Sequence, residues 1–542
     1  MTMSNVRSTS KIVRSEANDA KKVKVTYSVM ANVDLKPAWL SFMLFVFVMS
    51  NFVRDAWAIT SRMGTVPSFQ KQQDLPSFYT ATDDDINWSG RVLRNEEYMR
   101  VVFDWPGVTA SFQVDENATA VTVMVDDSSL VGTRFAVFYD SPTARHRKLR
   151  EFRTLRGVFS YTLADVGILG AQGLRFEPNV TISMVHTQEA QFLSNNAAVN
   201  NVTVLGFGTD GFLSRPSPST RRLEFIGDSI TAGYGADGLA PCVGSVETNN
   251  YVLTWAHALC QSLDAECFVE AYSGVGVYAS YPHPGTVEVT MPERFADTLA
   301  SAHQLKNMTT GGLSPGFRWK VDASTFRPDA LIFNLGTNDF CCGRGENSTF
   351  VEAYAAAYYQ FVSKVLEFYA VPAGTRAKDL PIRPSSRKGP ARAGDEPAEA
   401  PLGAAPAPVV FLGVGPMSAR YQGATRGVVE RLTRRGVRAI LLDLMLDPTV
   451  LMGGCLGHPT GAVHAAVAEK AFPVVEATMG WKWSDVGWGK GWWCLLRQRK
   501  VGDGAKTSCF MGDEGLNVST SSCPVYSLRL PVPFGGFLQA SK

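Results

Sequence analysis

Arg221-Arg222-Leu223-Glu224-Phe225-Ile226-Gly227-Asp228-Ser229-Ile230-Thr231-Ala232-Gly233-Tyr234-Gly235 is the stretch on which the reading of the chain turns. Leu223, Phe225 and Ile226 form a short apolar run of strand type that stops at Gly227, presents Asp228 and Ser229, and continues through small residues into a helical pattern. Ser229 therefore sits on a strand-to-helix turn. Such a turn exposes a hydroxyl at the C-terminal edge of a sheet, where a base can take its proton and backbone N–H groups can hold an oxyanion. A Gly-Asp-Ser triplet is common by chance, so the weight falls on its surroundings.

Downstream, strand and helix patterns alternate. Residues 250–263 place Val252, Trp255, Ala256, Leu259, Cys260 and Leu263 on one helical face, and 330–335 is a continuous apolar run of strand length. A helix over 350–369, a strand over 409–414, a helix over 425–435, a strand over 439–444 and a helix over 462–479 follow. Strands apolar on both faces and separated by helices predict a parallel sheet covered on both sides, an α/β domain over 219–483. In such sheets chemistry gathers at the carboxyl ends of the strands. Residues 373–408 interrupt the pattern with Pro, Ala, Gly, Arg and Glu and no apolar period, which predicts a disordered insertion.

Residues 86–218 differ. Short runs rich in β-branched and aromatic residues (99–103, 109–114, 120–125, 134–139, 180–185, 202–207) are bounded by turn formers such as 105–107 and 126–128, with no helix between them. An antiparallel β-sandwich, jelly-roll-like, is expected there. Residues 61–85 are polar and aperiodic and are expected to be a linker. The stretch 484–542 carries three of the cysteines and no assignable role.

The first 60 residues lead with Lys11, Arg14, Lys21, Lys22 and Lys24 and then run apolar over 38–53. That run is short for a bilayer span of roughly 20 residues, and Ala56-Trp57-Ala58 fits a small-residue cleavage site. It is expected to be a secretory signal, with translation from Met30, or an uncleaved membrane anchor; a buried core helix is the bland alternative. Seven N-x-S/T sequons (Asn87, Asn117, Asn179, Asn201, Asn307, Asn347, Asn517) exceed chance and agree with export, as do nine cysteines without a C-x-x-C pair. Disulfides rather than zinc are expected, with at least one thiol left over. The catalytic part is thus expected in the secretory pathway or outside the cell. With 52 basic and 50 acidic residues among 542, nothing points to a nucleic-acid partner.

Three later stretches supply what a lone serine lacks. In 270–277 (Glu-Ala-Tyr-Ser-Gly-Val-Gly-Val) Gly274 can bring a backbone N–H close to an oxyanion; in 334–339 (Asn-Leu-Gly-Thr-Asn-Asp) Asn338 can supply a side-chain donor. In 454–459 (Gly-Cys-Leu-Gly-His-Pro) His458 stands in a loop before the last helix, placed to accept the Ser229 proton. Taken singly, these are a Gly-rich turn, a turn asparagine and a structural histidine; in this order they are one machine. They resemble the SGNH (GDSL-type) hydrolase superfamily, whose nucleophile, oxyanion glycine, oxyanion asparagine and base match Ser229, Gly274, Asn338 and His458.

The chain is most similar to carbohydrate esterase family two, on Phe103-Asp104-Trp105-Pro106-Gly107-Val108, the long form of residues 225–235, and Gly457-His458-Pro459. That resemblance implies a β-sandwich before an SGNH domain, removal of O-acetyl groups from polysaccharides such as xylan or glucomannan, and no metal or organic cofactor. One departure stands out. The superfamily places an aspartate two or three residues before the histidine, where this chain has Leu456 and Cys455. A Ser-His dyad is expected, with a backbone carbonyl fixing the tautomer; Asp339 and Asp443 are distant candidates for the missing carboxylate, and His464 is the alternative base. A lipid esterase and a non-catalytic glycan-binding protein, gripping sugar with Trp481 and Trp483, are the rival readings.

Overall fold

The computed structural model describes residues 76–129, 131–190, 202–282, 289–301, 319, 326–370 and 407–481, all within one compact unit, Asp74–Lys542. The apolar run 38–53, all but the last two residues of the insertion 373–408, and the extension 484–542 lie outside the described residues. Among the described residues no helix is long and apolar enough to cross a membrane.

Two antiparallel sheets open the fold. One runs β3 (Leu93–Asn95), β4 (Arg100–Phe103), β11 (Val202–Thr209), β6 (Ala120–Asp127), β9 (Gly157–Asp165), with β1 (Ser77–Thr80) also on β11. The other runs β12 (Leu213–Ser214), β5 (Thr109–Val114), β10 (Val180–His186), β7 (Arg134–Asp140), β8 (Arg147–Arg153), with β2 (Asn87–Ser89) on β5. Alternation decides which face goes in: in β5, Ala110, Phe112 and Val114 are buried while Thr109, Ser111 and Gln113 are half-exposed. The six runs seen in the sequence are all strands. β1 corrects the expected linker, since residues 77–80 pair with 206–209. A short helix, α1 (Val166–Gly170), capped by Asp165, corrects the expectation of no helix.

A five-stranded parallel sheet follows, in the order β14 (Glu266–Ala271), β13 (Arg222–Gly227), β15 (Ala330–Asn334), β16 (Val409–Val414), β17 (Ala439–Asp443). Its connections include the one-turn α2 (Ser229–Ala232), α3 (Trp255–Leu263), α4 (Met291–Arg294), α5 (Ser348–Ala370), α6 (Gln422–Arg434) and α7 (Gly461–Met479). The central strands β13, β15 and β16 have two buried faces, and alternate residues serve each. Phe225, Ile332 and Phe411 pack with Trp255 and Leu259 of α3 and Val467 and Ala471 of α7. Ile226, Phe333 and Leu412 join Tyr358, Phe361 and Val362 of α5 and Leu432 of α6, in a core continuous with that of the two antiparallel sheets. The result is a three-layer α/β/α domain behind a β-sandwich. A disulfide, Cys260–Cys267, ties α3 to the start of β14.

Candidate active site

β13, β14 and β15 run parallel, with Gly227 level with Ala271 and Asn334, so the loops after these residues emerge at one edge. Asp228 caps α2, accepting from the Ile230 N–H at 3.0 Å, which turns the chain sharply and puts Ser229 in the first helical position. Gly227 is required there because a Cβ would run into the Thr231 side chain. The Ser229 N–H has no hydrogen-bond partner among the described residues.

The Ser229 Oγ lies 2.8 Å from Nε2 of His458. The other ring nitrogen, Nδ1, lies 3.1 Å from the carbonyl oxygen of Cys455. A carbonyl can only accept, so Nδ1 carries the proton and Nε2 faces the hydroxyl as a base. Burial lowers the pKa of His458 from its ordinary value, while the carbonyls of Cys455 and Leu456 oppose the shift. Tyr234 packs on the imidazole with ring centroids 4.7 Å apart.

The loop after β14 carries Gly274 at φ 81°, a left-handed conformation that suits glycine. Its N–H also lacks a partner among the described residues. Asp339 sets the next turn by accepting from the N–H groups of Val277, Tyr278 and Ala279 at 2.9, 2.7 and 2.8 Å. Asn338 bridges the loops: its Nδ2 donates to Val275 O at 2.8 Å and approaches Asp228 Oδ2 at a long 3.4 Å. Ser229 is hydrogen-bonded to His458, and Asn338 joins the Ser229 cap to the Gly274 loop.

The alternatives stand elsewhere. Asp339 is committed to three backbone donors, and Asp443 pairs with Lys470 at 2.8 Å. His464 is fully buried in α7 with neither ring nitrogen bonded among the described residues, and burial drops its pKa to about 3. Trp481 stacks near the Arg221 guanidinium at 5.7 Å and packs against the core, and Trp483 lies outside the described residues.

Two carboxylates at the site were not assigned from sequence. Burial, aided by the charge of Asp339, raises Asp228 to about 7. Glu189, in the segment after β10, accepts from the Ser273 N–H at 2.6 Å and from the Ser273 hydroxyl, and burial raises it to about 7. The cap signature of Asp228 was visible in the sequence; nothing local marked Glu189. A second disulfide, Cys242–Cys455, closes on the histidine loop. Among the described residues no group of three or more His, Cys, Asp or Glu can hold a metal.

Comparison with known proteins bears on the fold and the family. Residues 223–471 match the model of the GDSL-like Lipase/Acylhydrolase family. Over 161 residues the chain is 32% identical to the cellulase/esterase CelE of Acetivibrio thermocellus, covering 29% of this chain and 18% of that protein. It is 29% identical over 173 residues to an acetylxylan esterase/glucomannan deacetylase of Cellvibrio japonicus, covering 30% of this chain and 43% of that one. The alignments thus span less than half the length of these relatives. Among solved structures, a family two carbohydrate esterase from Clostridium thermocellum in complex with cellohexaose superposes with a TM-score of 0.54 at 22% identity, covering 73% of this chain and 100% of that one. An acetyl xylan esterase from Butyrivibrio proteoclasticus gives 0.55 at 16% identity, covering 75% and 99%. The sandwich and α/β domain therefore occur together in the same order in those folds.

Proposed function

From a chain that carries a GDSL-like lipase/acylhydrolase domain at residues 223–471, we propose a serine carboxylic ester hydrolase that removes O-acetyl groups from polysaccharide with a Ser229–His458 dyad. The observation that carries this reading is the 2.8 Å approach of His458 Nε2 to the Ser229 hydroxyl, with Nδ1 held by a carbonyl. Ser229 Oγ attacks the ester carbonyl as His458 takes its proton. The N–H groups of Ser229 and Gly274, without a partner among the described residues, and the Asn338 amide serve the oxyanion. Collapse of the tetrahedral intermediate expels the sugar hydroxylate, which takes the proton from His458. Water, deprotonated by the same imidazole, then attacks acetyl-Ser229, and the departing Ser229 Oγ takes that proton back from His458 as acetate is released. Every step is served by side chains and backbone of this chain.

Acetylated xylan and glucomannan are the first substrates to try, because the relatives of similar sequence are named for them. Two disulfides among the described residues, and sequon asparagines Asn117, Asn179 and Asn347 on the exposed surface, support work outside the cytosol. The test is acetate release from these polymers by the wild-type chain and by Ser229→Ala: release abolished in the variant supports the reading, and equal release overturns it. A second reading, a longer-chain acyl esterase, is favoured by the exposed apolar side chains of Leu239, Val243 and Leu456 beside the disulfide that closes on the histidine loop. Octanoate esters turned over faster than acetate esters would select it.

A further inference from the structure

We infer that the Cys242–Cys455 disulfide is the positioning element of the catalytic imidazole, so that turnover depends on the redox state of this one bridge. The inference rests on the dyad proposed above. The His458 ring makes no ion pair with a carboxylate among the described residues. Its tautomer and tilt are set by the carbonyl of Cys455, and the side chain of that residue is in the bridge.

What holds that carbonyl is the loop to which Cys455 is joined. Residues 455–457 form a single 3₁₀ turn whose middle residue, Leu456, is left-handed at φ 50° and 63% exposed, so local packing does little to fix it. The turn is stitched instead to residues 235–242. Leu456 N–H donates to Cys242 O at 3.0 Å, Ala240 N–H to Gly453 O at 2.9 Å, and Cys455 N–H to Gly235 O at a long 3.4 Å. Gly235 and Gly238 clear the space: a Cβ on the first would meet the Cys455 Cβ at 2.6 Å, and on the second would strike the Cys455 sulfur. Tyr234, against the imidazole, has its hydroxyl bonded by Gly244 N–H at 3.0 Å, so the two supports of the ring, Tyr234 and the Cys455 carbonyl, come from the two segments that the bridge joins. Cys455 is fully buried, but Cys242 is half-exposed, so a small thiol can reach the bridge from that side.

Reduction by dithiothreitol delivers two electrons and two protons, leaving thiols at Cys242 and Cys455 and the cyclic disulfide of the reagent. The experiment compares the full chain as wild type, as Cys242→Ser, and as the double variant Cys260→Ser/Cys267→Ser, which removes the distant bridge. Acetate-ester kinetics, pH profiles and the NMR titration of the His458 ring proton are measured. A misplaced general base costs about 10- to 100-fold in kcat, and that loss is expected in Cys242→Ser with KM unchanged within about twofold. The Cys455 carbonyl favours the charged ring, so its release moves the His458 midpoint to lower pH. Dithiothreitol is expected to reproduce both effects in wild type, reversibly on reoxidation, and to change nothing further in Cys242→Ser.

Wild-type kcat in Cys242→Ser, or an equal loss in the Cys260/Cys267 variant, overturns the inference. Should Cys242→Ser fail to fold, reduction of the native wild type under mild conditions decides by the same two readouts. If the wild type releases no acetate, the esterase reading fails, and the shift of the ring titration on reduction still decides the positioning role.

Discussion

Asn338 is the one proposed oxyanion donor that is a side chain, so a substitution can remove it. One of its amide protons is spent on Val275 O at 2.8 Å, fixing the carboxamide, while the other makes only the long contact to Asp228 that a developing oxyanion can displace. Loss of one oxyanion donor lowers turnover by about 10²- to 10³-fold, so Asn338→Ala is expected to drop kcat by that factor with KM little changed; a rise in KM with kcat intact would remove Asn338 from the site. In the proposed dyad His458 fixes the acid limb. The base works neutral and burial lowers the His458 pKa below the ordinary value, so activity is expected to be kept at pH values that protonate an exposed imidazole and to be lost only as pH falls through the lowered value. A kcat/KM profile with an acid limb above 6.5 would contradict this. Ser229, Gly274, Asn338 and His458 could be proposed from the sequence because each stands in a short block whose chemistry is local. Glu189 was not, because a glutamate becomes informative only when burial and a distant Ser273 are known.

At the level of elements, strands with two buried faces or strict alternation announced themselves: 409–414 was read to the residue. The charged β8 was missed, since in Arg147-Lys-Leu-Arg-Glu-Phe-Arg only Leu149 and Phe152 are buried and the charges find partners such as Arg134 and Glu151 across the sheet. A fully buried junction between elements is equally silent in sequence. Arg91, between β2 and β3, is fully buried against Glu224 of β13 at 3.0 Å and Glu270 of β14 at 2.9 Å, the latter an ionic contact without hydrogen-bond alignment. One guanidinium faces two carboxyl groups, and burial with the charge of Glu224 pushes Glu270 well above its usual range. Removing the cation strands a buried negative charge, which costs about 3–5 kcal/mol. Arg91→Ala is expected to lower stability by that amount in urea unfolding, and Arg91→Lys to restore little, since an ammonium cannot span both glutamates. A loss under about 1 kcal/mol would mean the pair had let in water.

Across the whole molecule, the sandwich and the α/β domain are held by contacts that no local pattern could forecast. Asp104 accepts from the N–H groups of Ala300 and Ser301 at 2.6 and 2.9 Å, Tyr251 N–H donates to Thr187 O at 2.7 Å, and Glu189 reaches Ser273, 84 positions away. The carboxylates in these junctions make stability depend on pH in a definite sense. Glu189 at about 7 and Asp104 at about 6 are raised above their unfolded values, so their contribution is full below the unfolded carboxylate range and is lost as pH climbs through the folded values. His186 at about 4, with His257 and His464 at about 3, works in reverse: burial depresses these pKa values, and their contribution, present above 6.5, is lost as pH falls toward the folded values. Opposing slopes make the wild-type curve alone a poor test, but one substitution isolates a single group. Glu189→Gln keeps an acceptor for the Ser273 N–H and cannot ionise. It is expected to match wild type near pH 4 and to gain about 3 kcal/mol over it by pH 8, because only wild type must then deprotonate a buried acid. Chemical unfolding of both proteins at each pH reads the difference directly, with the histidine terms cancelling. A gap that stays constant from acid to alkaline pH would show that Glu189 titrates in the fold as it does in the unfolded chain, and that the junction behind the Gly274 loop is solvated rather than dry.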